Sequence, residues 1–125
     1  MPPAIKPDDV LLVEDHADTQ EILVHLLTEQ GYSVLTADNG QQALDLLERG
    51  IRPRLIVVDL MLPRVSGSDL LSVLRADAEL RQTPIVVITA APKDSFHVIA
   101  DAILRKPLDY AKLLTTIRNL MARRG

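Results

Sequence analysis

The sequence predicts an α/β domain: a doubly wound, five-stranded parallel sheet with helices on both faces. Three observations predict it. Short continuous apolar runs, at residues 10–13, 55–58 and 85–88, suit strands buried on both faces rather than half-exposed ones. Longer amphipathic stretches of helical period separate these runs. Strand and helix signals alternate along nearly the whole chain, which implies right-handed β-α-β crossovers.

Taken in order, Val10-Leu-Leu-Val13 is the first strand, followed by the acids Glu14 and Asp15. Residues 18–30 form a helix, with Ile22, Leu23, Leu26 and Leu27 at helical spacing and Gly31 as its stop. Residues 33–37 make the second strand. Asn39 caps a helix over 40–49, Gln42 completes a capping-box pattern, and Gly50 ends it. Residues 55–59 are the third strand, and 67 to about 78 a helix carrying Leu70, Leu71 and Leu74 on one face. Residues 84–89 are the fourth strand, 92 to about 100 a short fourth helix, 102–104 the fifth strand and 109–123 the last helix. The N-terminal tail, residues 1–9, is the one expected linker, and residues 10–123 form one domain.

Composition narrows the function. The chain has 125 residues, 47% hydrophobic and 25% charged, the balance of a globular domain. Its net charge of −3 argues against nucleic-acid binding by bulk electrostatics. No cysteine is present, which removes disulfides, thiolate catalysis and Cys-based zinc sites. No apolar run is long enough to span a bilayer and the N-terminus lacks an apolar signal region, so a cytoplasmic location is expected. With no Trp, one Phe and two Tyr, the core must be aliphatic.

Four predicted strands end in chemistry. Glu14 and Asp15 follow the first, Asp59 ends the third, Thr89 ends the fourth, and Lys106-Pro107 follows the fifth. In an open α/β sheet these ends share one edge, where ligands bind. Three clustered carboxylates repel one another unless a cation neutralises them, and Mg²⁺ suits an all-oxygen donor set. A metal, a lysine and a hydroxyl together serve the oxygens of a transferring phosphoryl group, and an Asp carboxylate can be its acceptor. Taken singly, each residue has an ordinary reading: a solvated acidic loop, a helix cap, a strand Thr, a surface turn. The conjunction in order at successive strand ends favours the chemical reading.

From residue 10 to residue 121 the chain resembles the response-regulator receiver family. Asp59-Leu-Met-Leu-Pro-Arg-Val-Ser-Gly67 resembles its phosphoacceptor loop, Glu14-Asp15 its acidic pair, Thr89-Ala90 its switch Thr and small neighbour, and Lys106-Pro107 its lysine and cis-prone proline. The resemblance implies a CheY-like (βα)5 fold of strand order 2-1-3-4-5. It implies that Asp59 is the phosphoacceptor and that Asp15, Asp59 and the Met61 backbone carbonyl bind Mg²⁺, Glu14 doing so through water. Lys106 would pair with Asp59 and then with the phosphoryl group, toward which Thr89 would turn. The donor would be a phosphohistidine on a sensor histidine kinase or phosphotransfer protein. His16, His25 and His97 are isolated and read as loop or helix-surface residues.

Two departures from that family concern output. The spacing from Thr89 to Lys106 is short by more than one helical turn, a shortage that falls on the fourth helix, and Ile103 stands where the family often has an aromatic switch residue. Readout through a reshaped surface, a homodimer through a non-standard face, or service as a relay follows as an expectation. Met61 and Ala91, two residues after Asp59 and Thr89, cannot hold an attacking water by a side-chain hydrogen bond, so slow self-hydrolysis is expected. Two competing readings are a degenerate, non-phosphorylated binding module on the same fold and an aspartyl-nucleophile phosphohydrolase. The latter lacks its second acid, since Met61 occupies that position. The chain would be a stand-alone regulator or a receiver excised from a longer protein.

Overall fold

Five strands, β1 (Val10–Val13), β2 (Val34–Ala37), β3 (Leu55–Asp59), β4 (Ile85–Thr89) and β5 (Ala102–Arg105), pair in parallel in the order β2-β1-β3-β4-β5. The computed structural model describes residues 9–60, 67–90 and 100–124. Among these residues the helices are α1 (Ala17–Glu29), α2 (Gly40–Glu48), α3 (Gly67–Ala76) and α4 (Tyr110–Arg124). The shortened fourth helix expected over 92 to about 100 lies outside the described residues, so α4 here is the last helix of the sequence reading.

Strand periodicity divides the core. Successive side chains point to opposite faces. Leu11, Val13, Ile56, Val58, Ile85 and Val87 pack on one face with Ala43 and Leu47 of α2 and Leu70, Leu71 and Leu74 of α3. Val10, Leu12, Leu55, Val57, Val86 and Ile88 pack on the other with Leu23 and Leu27 of α1 and Leu113 and Ile117 of α4. Every residue of β1, β3 and β4 is buried, whereas the edge strands β2 and β5 are only partly so. The continuous apolar runs thus mark the three central strands.

Local chemistry sets the helix ends. Asn39 Oδ1 accepts the Gln42 N–H at 2.8 Å, the expected cap. Gln42 Oε1, however, reaches back to the Asp38 N–H at 2.8 Å, one residue beyond the usual capping-box partner. Helix α3 stops at Ala76, two residues before the sequence expectation, because Asp77 Oδ1 accepts the N–H groups of Glu79 (2.8 Å) and Leu80 (3.3 Å) and turns the chain. Asp9 belongs to the packed fold rather than to a tail. It is buried, exchanges hydrogen bonds with Ser33 at 2.9 and 3.0 Å, and faces Arg54. At the same end of the sheet, Arg75 of α3 donates to the carbonyls of Arg81 (2.7 Å) and Thr83 (3.2 Å) and to Asp101 (3.2 Å), whose Oδ2 also accepts the Ile85 N–H at 2.7 Å.

Gly50 follows α2 with φ of 97°. A Cβ built there meets nothing within 4 Å, so replacing it costs only backbone strain. Gly50→Ala should therefore destabilise the fold by about 1 kcal/mol, read as a lower urea midpoint with unchanged slope.

Candidate functional site

The parallel sheet delivers the carboxyl ends of β1, β3, β4 and β5 to one edge. Glu14 directly follows β1, and its N–H bonds the Ala37 carbonyl of β2 at 3.0 Å. Asp59 is the last residue of β3 and Thr89 the last of β4. Glu14, Asp59 and Thr89 are all nearly inaccessible to solvent, at 0%, 2% and 1%. Lys106 follows β5, its N–H bonds the Thr89 carbonyl at 2.8 Å, and its peptide bond to Pro107 is cis, as the sequence suggests.

Lys106 crosses from β5 to the centre of this edge. Its Nζ lies 2.8 Å from Asp59 Oδ2 and 3.2 Å from Glu14 Oε1. The other Glu14 oxygen, Oε2, accepts the N–H of Asp15 at 3.0 Å and approaches that of His16 at 3.5 Å. Glu14 therefore sits beneath the β1–α1 turn, while the Asp15 side chain remains 27% exposed at the rim. Gln20 of α1 braces the turn, bonding the Glu14 carbonyl and Asp38 Oδ1, each at 3.0 Å.

Charge at this edge is out of balance. Burial pushes the Glu14 carboxyl above its ordinary 4.5; the hydrogen bond and charge of Asp59 push the same way, and Lys106 only partly offsets them. Burial alone would lower the Lys106 ammonium, but Asp59 and then Glu14 outweigh it and leave the group above its ordinary 10.5. Glu14 binds its proton more tightly folded than unfolded. Its contribution to stability is thus full below pH 4.5 and is lost as pH rises through the raised folded value. Glu14→Gln should flatten the fall in unfolding free energy as pH rises above 4.5, measured by urea denaturation across pH 4–7 with a chelator present.

Ligand atoms of Glu14, Asp15, His16 and Asp59 all lie within 4.8 Å of one another. The three carboxylates form a hard oxygen donor set with more negative charge than Lys106 balances, and this set fits Mg²⁺. The acids, Thr89 and Lys106 expected from the sequence all lie on one edge of the fold. Met61, whose carbonyl was also expected as a ligand, lies outside the described residues, as do Ala91 and His97. Two features were missed: the direct bond from Lys106 to Glu14, and His16 within reach of the acids. The second was legible in the sequence, because His16 adjoins the acidic pair.

A family model described as the response regulator receiver domain matches residues 10–118. The transcriptional regulatory protein CpxR of Escherichia coli is 35% identical over 91% of this chain and 49% of its own length. The chain thus spans about half the length of that relative. The polar-differentiation response regulator DivK of Brucella anthropi is 34% identical over 92% of this chain and 97% of its own. Among solved structures, the receiver domain of a Pseudomonas aeruginosa sensor histidine kinase, with a magnesium ion coordinated in its active-site cleft, is 27% identical. It superposes with a TM-score of 0.85 over 94% of this chain and 99% of that one.

Proposed function

This chain belongs to the response regulator receiver domain family of two-component systems, and from that premise we infer that Asp59 accepts a phosphoryl group in a Mg²⁺-dependent reaction. The observation that carries the reading is the Lys106 ammonium bridging two buried carboxylates, Glu14 just after β1 and Asp59 at the end of β3. Such a group fixes the acceptor carboxylate and supplies a positive charge where phosphoryl oxygens arrive.

In the transfer, an oxygen of the Asp59 carboxylate attacks the phosphorus of a phosphohistidine on a sensor histidine kinase or phosphotransfer protein. The P–N bond breaks as the P–O bond forms, and the departing imidazole takes up a proton. Lys106 exchanges its contact with Asp59 for one with the new phosphoryl oxygens, and Thr89, at the end of β4, donates its hydroxyl to another. Asp15 and Asp59, with Glu14 through water and the Met61 carbonyl, would hold Mg²⁺, which when bound neutralises the phosphoryl oxygens. Glu14 keeps the β1–α1 turn in place through its bonds to the Asp15 and His16 N–H groups.

The chain acts as a switch or relay rather than as a turnover enzyme, within a domain over residues 10–123, in the cytoplasm and without binding nucleic acid itself. Output uses a reshaped surface or the chain serves mainly as a relay, with the 45% exposed Ile103 in place of the usual aromatic, and any homodimer forms through a non-standard face. The retained Lys106–Asp59 pair counts against a degenerate binding module. The test is Mg²⁺-dependent labelling by acetyl phosphate. The wild-type chain should be labelled and Asp59→Asn should not; equal labelling of both would sink the reading.

A further inference from the structure

We propose that Asp101, at the far end of β5 from the site, is a positioning residue: it sets the strand register that presents Lys106, rather than its neighbour Arg105, to Asp59. The inference rests on the phosphoacceptor reading and adds to it what keeps the lysine in reach.

β5 is an edge strand, paired with β4 alone. Val86 faces Ala102, Val87 faces Ile103, Ile88 faces Leu104 and Thr89 faces Arg105, so Lys106 emerges one residue beyond the ladder. Burial specifies this register poorly. β4 is buried throughout, but in β5 only Leu104 is buried, and Ile103 is 45% exposed. A slip of one residue toward the site would put Ile103 in the buried place of Leu104, an exchange of isomeric side chains. It would also carry Arg105, about 3.3 Å along the strand, into the place of Lys106. The opposite slip would bury Arg105 in the place of Leu104 and is excluded by the cost of burying its charge. The apolar pattern therefore leaves one wrong register open. That register offers Asp59 a broad planar guanidinium where the edge now holds a compact ammonium.

Asp101 closes that register off. Its N–H bonds the Ile85 carbonyl at 2.9 Å, and its Oδ2 accepts the Ile85 N–H at 2.7 Å. One residue thus holds both backbone polar groups of the first residue of β4. Arg75 Nη2 grips the same oxygen at 3.2 Å, while Nη1 ties Arg75 to the carbonyls of Arg81 and Thr83, just before β4. The clamp joins α3, the start of β4 and the start of β5. After a one-residue slip, Ala100 would stand in the place of Asp101, and the Asp101 carboxylate would point to the opposite face. The N–H of Ile85, a wholly buried residue, would lose its acceptor, and Arg75 would lose its counter-charge.

The experiment follows cross-strand contacts by NMR of the full chain with ¹³C-labelled Ile and Leu methyls, alongside the rate of labelling at position 59 by acetyl phosphate. Ile88 should contact Leu104 but not Ile103 in the wild type and in Asp101→Asn, which keeps an acceptor for the Ile85 N–H. In Asp101→Ala, Ile88 should contact Ile103 as well, and labelling should slow by about tenfold to a hundredfold. Adding Arg105→Lys to Asp101→Ala should recover most of that rate, whereas Arg105→Lys alone should leave the wild-type rate unchanged. If Asp101→Ala does not fold, Arg75→Met carries the test. It removes the counter-charge but keeps the Ile85 bond, so it should show the same mixed contacts with a smaller slowing. Contacts of Ile88 to Leu104 alone in every folded variant, or a slowed rate that Arg105→Lys does not relieve, would overturn the inference. A wild type that acetyl phosphate does not label at position 59 would instead overturn the phosphoacceptor reading, a result distinct from any change in strand contacts.

Discussion

Asp59→Asn should abolish phosphoryl acceptance and at the same time make the metal-free protein more stable. Both effects follow from one local charge count. Glu14 and Asp59 are buried beside each other with Lys106 between them, so two carboxylates share one ammonium. Removing the Asp59 charge leaves a balanced Glu14–Lys106 pair and keeps a side chain of the same shape. The gain should be about 1–2 kcal/mol at pH 7 in a chelator, within the usual range of a single substitution that relieves like-charge repulsion. The wild type should recover stability on adding Mg²⁺, by mass action on the folded state, whereas the variant should recover little. Urea denaturation of both proteins, with and without Mg²⁺, measures all four values. A variant less stable than wild type in chelator would show that Asp59 is not under electrostatic strain.

Lys106→Met should have the opposite effect on stability. It leaves two buried carboxylates with no ammonium between them, and breaking such a pair is costly. The Lys106 side chain is 23% exposed, and Glu14 can take up a proton to relieve the repulsion, so the loss should be limited to about 2–3 kcal/mol at pH 7. It should shrink toward pH 4.5 as Glu14 protonates in both proteins. Combining Lys106→Met with Asp59→Asn should cost much less than Lys106→Met alone, because residues in one charge network are not additive. An unchanged loss in the double variant would mean that Lys106 stabilises the fold through its stem packing rather than its charge.

Much of this was legible in the sequence because the signals were chemical and local. The runs at β1, β3 and β4 are continuous because those strands are buried on both faces, and a continuous run is visible without knowing its neighbours. Asp59, Thr89 and Lys106 could be placed on one edge because parallel topology sends all carboxyl ends the same way. What escaped detection depends on side-chain reach across the fold. Arg75 and Asp101 meet only after α3 and β5 are docked, and no spacing rule links them. Asp9 looked like tail because its partners, Ser33 and Arg54, lie far along the chain. The end of α3 was overrun because Ala76-Asp-Ala continues a helical pattern, and only the Asp77 turn stops it. The direct bond from Lys106 to Glu14 escaped notice because it depends on how deeply the β1 end is buried.

The most direct test of the account locates the phosphoryl group. After incubation with acetyl phosphate and Mg²⁺, reduction with borohydride converts an aspartyl phosphate to homoserine, which mass spectrometry of the digested chain assigns to a position. Homoserine is expected at position 59, absent without Mg²⁺ and absent from Asp59→Asn. Homoserine at position 15, phosphorylation on a histidine, or no modification at all would contradict it.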